Sequence, residues 1–250
     1  MTRISDHTEI RRRLNADRVW SIYALADLDP HLFDLCEWWG AGEGLALIFT
    51  GISIRPIFVI GSEDETRELL TDLPVDEGYL NLRDHQAAAA APFYEYDIPH
   101  RMRRMVTANF KPRHDTTVAL GLEHADQIQR LYATGDGGGV AFGAFQLETG
   151  FFRGVVRDGE LVAVAGVHVV SSAESVAGVG NVFTRADWRG RGLAQVTTSA
   201  VTSALMAAGI QTIGLNVESN NGPAIAAYER LGFGAAFEYW EGAARRRISR

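Results

Sequence analysis

Two arginines and two glycines at the head of a helix, Arg189-Gly190-Arg191-Gly192, are the residues of this 250-residue sequence best suited to chemistry. They follow a strand-like run from Gly178 to Thr184. After them Leu193, Val196, Thr197, Ala200, Val201, Ala204, Leu205 and Ala208 recur at helical spacing until Gly209. The first turn of a helix leaves backbone N–H groups unpaired at the positive end of its dipole, which favours an anion there. Glycine lets a phosphate approach the backbone closely, and each arginine adds a fork of charged donors. A pyrophosphate suits this spacing. An ordinary Gly-rich turn with surface arginines is the other reading.

Two familiar phosphate motifs do not fit. A dinucleotide fingerprint needs a third glycine where Gln195 stands, and a P-loop needs a Gly-Lys-Ser/Thr run that the sequence lacks. Arg189-x-x-Gly192-x-Ala194, followed by Asn221-x-x-Ala224-x-x-x-Tyr228-x-x-x-Gly232-Phe233, instead resembles the two motifs of the GNAT superfamily of acyl-CoA-dependent N-acyltransferases. The resemblance runs from about Thr116 to the C-terminus. The part from Phe151 to Phe237 is also similar to the acyltransferase domain of glycine N-acyltransferases.

The resemblance implies a site. Val182, Phe183 and Thr184 hold a pantetheine arm by their main chain, in a gap between two splayed strands. The N–H groups of Arg189, Gly190, Arg191, Gly192, Leu193 and Ala194 take the pyrophosphate, while Asn216 and Asn221 complete the contacts to acetyl-CoA, the co-substrate. Tyr228 is the general acid toward the departing thiolate, and the N–H of Phe183 or Thr184 polarises the carbonyl.

A primary amine has a pKa near that of lysine, about 10.4, so attack at neutral pH needs a base. His168 titrates in a useful range and is the candidate, with a structural histidine as the alternative. Glu148 and Glu218 are weaker choices, and Asn181 is suited only to positioning a water. Direct attack forms no covalent enzyme intermediate, so Cys36 is not required. No His/Cys/Asp cluster has metal-ligand spacing, so no metal is expected.

The elements that position these residues form two α/β regions. In the second, over 116–250, Thr117 to Leu122 reads as a strand and Glu123 to Ala133 as a helix. Gly135-Asp136-Gly137-Gly138-Gly139 is a loop that borders the acceptor cleft in the GNAT fold or is a plain connector. Phe151 to Arg157 and Glu160 to Val170 form a hairpin about Asp158-Gly159. Thr212 to Val217 is a buried strand, and the helix from Asn221 stops at Gly232.

The first region, over 1–110, reads as a helix from Asp6 to Ala26, paired strands Leu45–Thr50 and Pro56–Ile60, and a Ser62-capped helix ending at Pro74. A strand at Tyr79–Leu82, an alanine-rich helix from Asp84 to Ala91 and a strand from Arg101 to Ala108 follow. This order matches the second region without its Gly-rich loop. It is read as a degenerate GNAT-like repeat, with an unrelated α/β lid as the alternative. The expected fold is thus α/β (α+β): a GNAT-like mixed, mostly antiparallel sheet flanked by helices, preceded by a second α/β domain. The boundary falls at Lys111-Pro112-Arg113-His114-Asp115. Trp38 and Trp39 read as core or interface residues rather than a substrate pocket.

A net charge of -7 argues against a nucleic-acid surface, and no apolar run reaches membrane-spanning length. Arg11-Arg12-Arg13 and Arg245-Arg246-Arg247 read as solvated faces. One cysteine and an N-terminus without an apolar leader segment suit the cytoplasm. The expected activity is transfer of an acetyl group to a primary amine of a small molecule or amino acid in a ternary complex. The expected partner is that small-molecule amine, with neither nucleic acid nor membrane, and a homodimer stays open. A non-catalytic acyl-CoA-binding module and a peptide N-acetyltransferase are the alternatives.

Overall fold

A computed structural model describes residues 1–135 and 142–247. They fall into two compact units. The first comprises Met1–Arg104, Glu218–Asn220 and the residues from Phe237 onward; the second comprises Met105–Val217 and Asn221–Ala236.

The first unit opens with β1 (Thr2–Arg3), α1 (His7–Asn15), α2 (Ile22–Ala26) and α3 (Pro30–Phe33). There follow β2 (Cys36–Ala41), β3 (Gly44–Phe49), β4 (Pro56–Ile60), α4 (Glu63–Asp72), β5 (Glu77–Leu82), α5 (Asp84–Ala90) and β6 (Tyr94–Tyr96). The next strand, β7 (His100–Thr107), has residues in both units. The second unit runs β8 (Val118–Leu120), α6 (Ala125–Tyr132), a 3₁₀ turn at Ala144–Thr149, β9 (Phe152–Arg157), β10 (Glu160–Ser171) and β11 (Val176–Thr184). It continues with α7 (Leu193–Ala207), β12 (Thr212–Glu218), α8 (Gly222–Arg230) and the start of β13 (Phe233–Arg246).

Both units follow one pairing scheme. In the first, β1, β2, β3 and β4 are antiparallel neighbours, and β4 then pairs parallel with β5 across the α4 crossover. In the second, β8, β9, β10 and β11 are antiparallel neighbours, and β11 pairs parallel with β12 across α7. Parallel neighbours require such a helical crossover. The sheet is mixed and mostly antiparallel, as expected, and the repeated order is visible in the pairing. The second unit's core joins Ile128, Leu131 and Tyr132 of α6 to Phe152, Val164, Val179, Leu215 and Tyr228.

Four expectations change. The early helix breaks after Asn15, because Asp17 accepts the backbone N–H of Trp20, whose indole N–H donates to the carbonyl of Val59 in the core. Trp38 and Trp39 belong to a strand, β2, that the sequence reading left unassigned; Trp38 is buried. The 14-residue β13 was not anticipated either, and from Trp240 to Arg245 it pairs with β5. That pairing covers an edge β5 would otherwise expose and returns the chain's last residues to the first unit, so the boundary at 111–115 does not divide the chain in two. Finally, Arg246 is no solvated face: it donates to the carbonyls of Thr71 and Leu73, the unpaired C-terminal end of α4, and to the Tyr94 hydroxyl.

Candidate functional site

The start of α7 is built differently from the start of α4. At α4, Ser62 and Glu65 form a capping box, and the Glu65 carboxylate also accepts the N–H of Glu43 at 2.7 Å. An acid of the chain itself thus fills that helix terminus. At α7 the N-cap is Gly192, left-handed at φ +76°, with no side chain to cap and no acid in the first turn. The N–H groups of Leu193, Ala194 and Gln195 meet no acceptor among the described residues. Gly190 is also left-handed, at φ +78°, and a side chain there would meet nothing within 4 Å. Left-handed backbone at both positions selects glycine.

The arginines are held beside this opening. Arg189 donates from Nε to the carbonyl of Thr184 at 3.1 Å and lies over the Phe183 ring at 5.9 Å. Arg191 lies over Trp188 at 4.3 Å and donates to the carbonyl of Asp187. Ring contacts fix the stems and leave charged donors at the loop.

The strand that feeds the loop parts from its parallel neighbour. β11 and β12 are in register from Val176 opposite Thr212 to Val179 opposite Leu215, and their pairing stops there. β11 continues to Thr184, and among the described residues its pairs there are with β10, through Val164–Phe183 and Ala163–Thr184. The half-buried edge from Gly180 to Thr184 therefore borders a gap, and Val182, Phe183 and Thr184 lie on it. Asn216, half-buried on β12, lies past the last pair.

Opposed bulges lie in the β10–β11 ladder just past the last β11–β12 pair. Gly180 and Phe183 of β11 face Gly166 and Val164 of β10, so Asn181 and Val182 together oppose one residue, Ala165. Asn181 takes φ +54°. Next to it His168 is the extra residue of β10. Four side-chain contacts hold this arrangement. The Asn181 N–H donates to His168 Nε2 at 3.3 Å, and the Asn181 side chain donates to Gln146 Oε1 at 3.0 Å and to the Val167 carbonyl at 3.2 Å. The Tyr132 hydroxyl donates to the Asn181 carbonyl at 2.9 Å. Gly180 has no side chain because the His168 ring occupies that space. Burial pushes the His168 pKa down to about 4.

This corrects two sequence assignments. His168 Nε2 accepts a backbone N–H, so that nitrogen is not open to a substrate proton, and the imidazole holds a strand in place. Asn181 fixes the bulge with its amide rather than a water. Tyr132 and Gln146 were missed, because neither falls in a motif and their partners lie 49 and 35 residues away in sequence.

Tyr228 of α8 is buried in the same cluster as Val217, with its ring against Phe233. Burial raises its pKa to about 12, so the phenol stays protonated at neutral pH. Asn221 caps α8, accepting from the Ala224 N–H at 3.2 Å. Glu148 is exposed on the 3₁₀ turn. Glu218 ends β12 on the same face as Asn216, opposite Leu215 and Val217, and lies 3.5 Å from His100 Nδ1. Cys36 is buried with its pKa raised, and its thiol contacts the carbonyl of Leu32. Among the described residues, no group of three or more His, Cys, Asp or Glu could hold a metal, and no helix is long and apolar enough to cross a membrane. Of the Gly-rich loop before the 3₁₀ turn, residues 136–139 lie outside those described.

Residues 122–233 match the model of the acetyltransferase (GNAT) family, which makes that span a GNAT-type N-acetyltransferase domain. A search of curated proteins gives no match. Among solved structures, a GNAT-family protein from Novosphingobium aromaticivorans is 22% identical, with a TM-score of 0.63 over 90% of this chain and 96% of its own. A Drosophila protein at 13% identity reaches a TM-score of 0.71 and covers 98% of both chains. A GCN5-related N-acetyltransferase from Kribbella flavida, at 13% identity, gives 0.61 over 92% of this chain and 96% of its own. At these identities the likeness concerns the fold. It extends through the first region, which the family model does not reach.

Proposed function

We propose that the protein transfers an acetyl group from acetyl-CoA to the primary amine of a small molecule or amino acid, by direct attack in a ternary complex. The observation that carries this reading is the uncapped, left-handed-glycine start of α7 at the end of a strand that has parted from its parallel neighbour. A donor with a pyrophosphate and an extended amide arm fits both features: unpaired helix N–H groups suit the phosphates, and an unpaired strand edge suits the arm.

Acetyl-CoA supplies the thioester. The chain's residues do the rest. Val182, Phe183 and Thr184 align the arm by their main chain, and an N–H of Phe183 or Thr184 polarises the carbonyl as charge develops on oxygen. Nitrogen bonds to the carbonyl carbon, the carbon–sulfur bond breaks, and the Tyr228 hydroxyl gives its proton to the departing sulfur. Arg189, Arg191, Asn216 and Asn221 hold the donor. The amine attacks in its neutral form, its proton having passed to water. His168 keeps the β11 bulge in register.

The test is calorimetric titration with acetyl-CoA, followed by free-thiol release over a panel of amines, amino acids and peptides. Binding with release on a small amine supports the reading. Binding with release on no amine points to an acyl-CoA-binding module, release on peptides alone to a peptide acetyltransferase, and absence of binding sinks all three.

A further inference from the structure

The stretch 111–115, read from sequence as a boundary, is strapped to the rest of the second unit. The Lys111 N–H donates to the Leu231 carbonyl at 2.9 Å, and the Arg113 N–H donates to the buried Ser199 hydroxyl of α7 at 2.7 Å. Pro112 stands between them with its fixed φ. These two ties bring the Arg113 side chain onto the glycine loop. A Cβ added to Gly192 would lie 2.6 Å from Arg113 Nη1, 2.8 Å from Cζ and 2.8 Å from Nη2. Nη1 also donates to Gln195 Oε1 at 2.6 Å, within the uncapped first turn of α7. That is the one described acceptor of this guanidinium, so its other N–H groups are available to a ligand.

We infer that Arg113 is a third cationic group of the phosphate site, reaching from this strap across Gly192 to the pyrophosphate of the acyl donor. Three observations converge. The guanidinium lies against Gly192, next to backbone N–H groups that lack acceptors among the described residues. No carboxylate among the described residues neutralises it, whereas Arg185 beside the same loop is paired with both Asp187 and Glu160. Gln195 orients it, so less rotamer freedom is lost when it meets a phosphate. Gly192 then has two reasons to be glycine: its left-handed φ, and the space the arginine occupies. Donor binding would thereby be tied to the strap at 111–115. The inference rests on the acyl-CoA reading above.

The experiment is calorimetry of wild type, Arg113→Met and Arg113→Lys with CoA and with 3′-dephospho-CoA, with melting temperatures as a control. Methionine keeps an apolar stem and removes the charge, and the backbone tie to Ser199 is retained. A charge-assisted bond to phosphate is worth enough that Arg113→Met should weaken both ligands by about 10- to 100-fold. Lysine should recover part of the loss, since it restores charge without the fork. Unchanged or tighter binding by Arg113→Met overturns the assignment, making the residue a structural strap or an obstacle. A loss for CoA but not for 3′-dephospho-CoA also overturns it, moving the contact to the 3′-phosphate. Wild type that binds neither ligand refutes the acyl-CoA reading itself. If Arg113→Met melts early, the comparison rests on Arg113→Lys, whose equality with wild type for both ligands counts against the fork.

Discussion

His168 Nε2 accepts the Asn181 N–H across two strands, and each residue is an extra one in its own strand. The hydrogen bond requires a neutral imidazole with its proton on Nδ1, since a protonated ring offers two donors and no acceptor. The charge state of one side chain is therefore linked to the bulge in the β10–β11 ladder. With a folded pKa of about 4 against an unfolded value near 6.5, the unfolded chain binds the proton more readily. Stability is held above pH 6.5 and falls as pH drops toward 4, by about 3 kcal/mol in all. Replacing His168 by Gln should remove this acid-side slope in denaturant titrations of the second unit. A slope that persists in the variant assigns it to other groups.

Asp27 in the first unit carries the opposite dependence. Burial raises its carboxyl pKa to about 7, so the folded protein holds that proton more tightly than the unfolded chain does. Its cost is absent near pH 4 and grows as pH rises to 7. Asp27→Asn should stabilise the protein at pH 8 by up to about 4 kcal/mol and change little at pH 4. Melting temperatures of variant and wild type that differ equally at both pH values would count against it.

The sequence made the phosphate loop legible because its signal is local: glycine at left-handed positions, arginine beside them, and a helix behind. The same holds for the Asp158-Gly159 turn, where φ is +52° and +80°, and for the Ser62 cap. The bulge network was illegible, because Tyr132, Gln146, His168 and Asn181 meet only once the strands are in register. Arg113 was read as part of a boundary for a related reason, since its partner Gln195 is 82 residues away. β13 escaped because Gly234, Ala235, Ala236, Gly242, Ala243 and Ala244 blur its alternation, and its partner β5 lies more than a hundred residues earlier.

Tyr228→Phe separates proton donation from folding. Among the described residues none accepts the Tyr228 hydroxyl, so its removal leaves no partner unpaired. The melting temperature and the affinity for acetyl-CoA should stay at wild-type values, while kcat falls by about 100-fold, the low end for loss of a general acid. Because the phenol titrates near 12, wild-type activity should show no loss from this group below about pH 10. Full turnover in the variant removes Tyr228 from the chemistry.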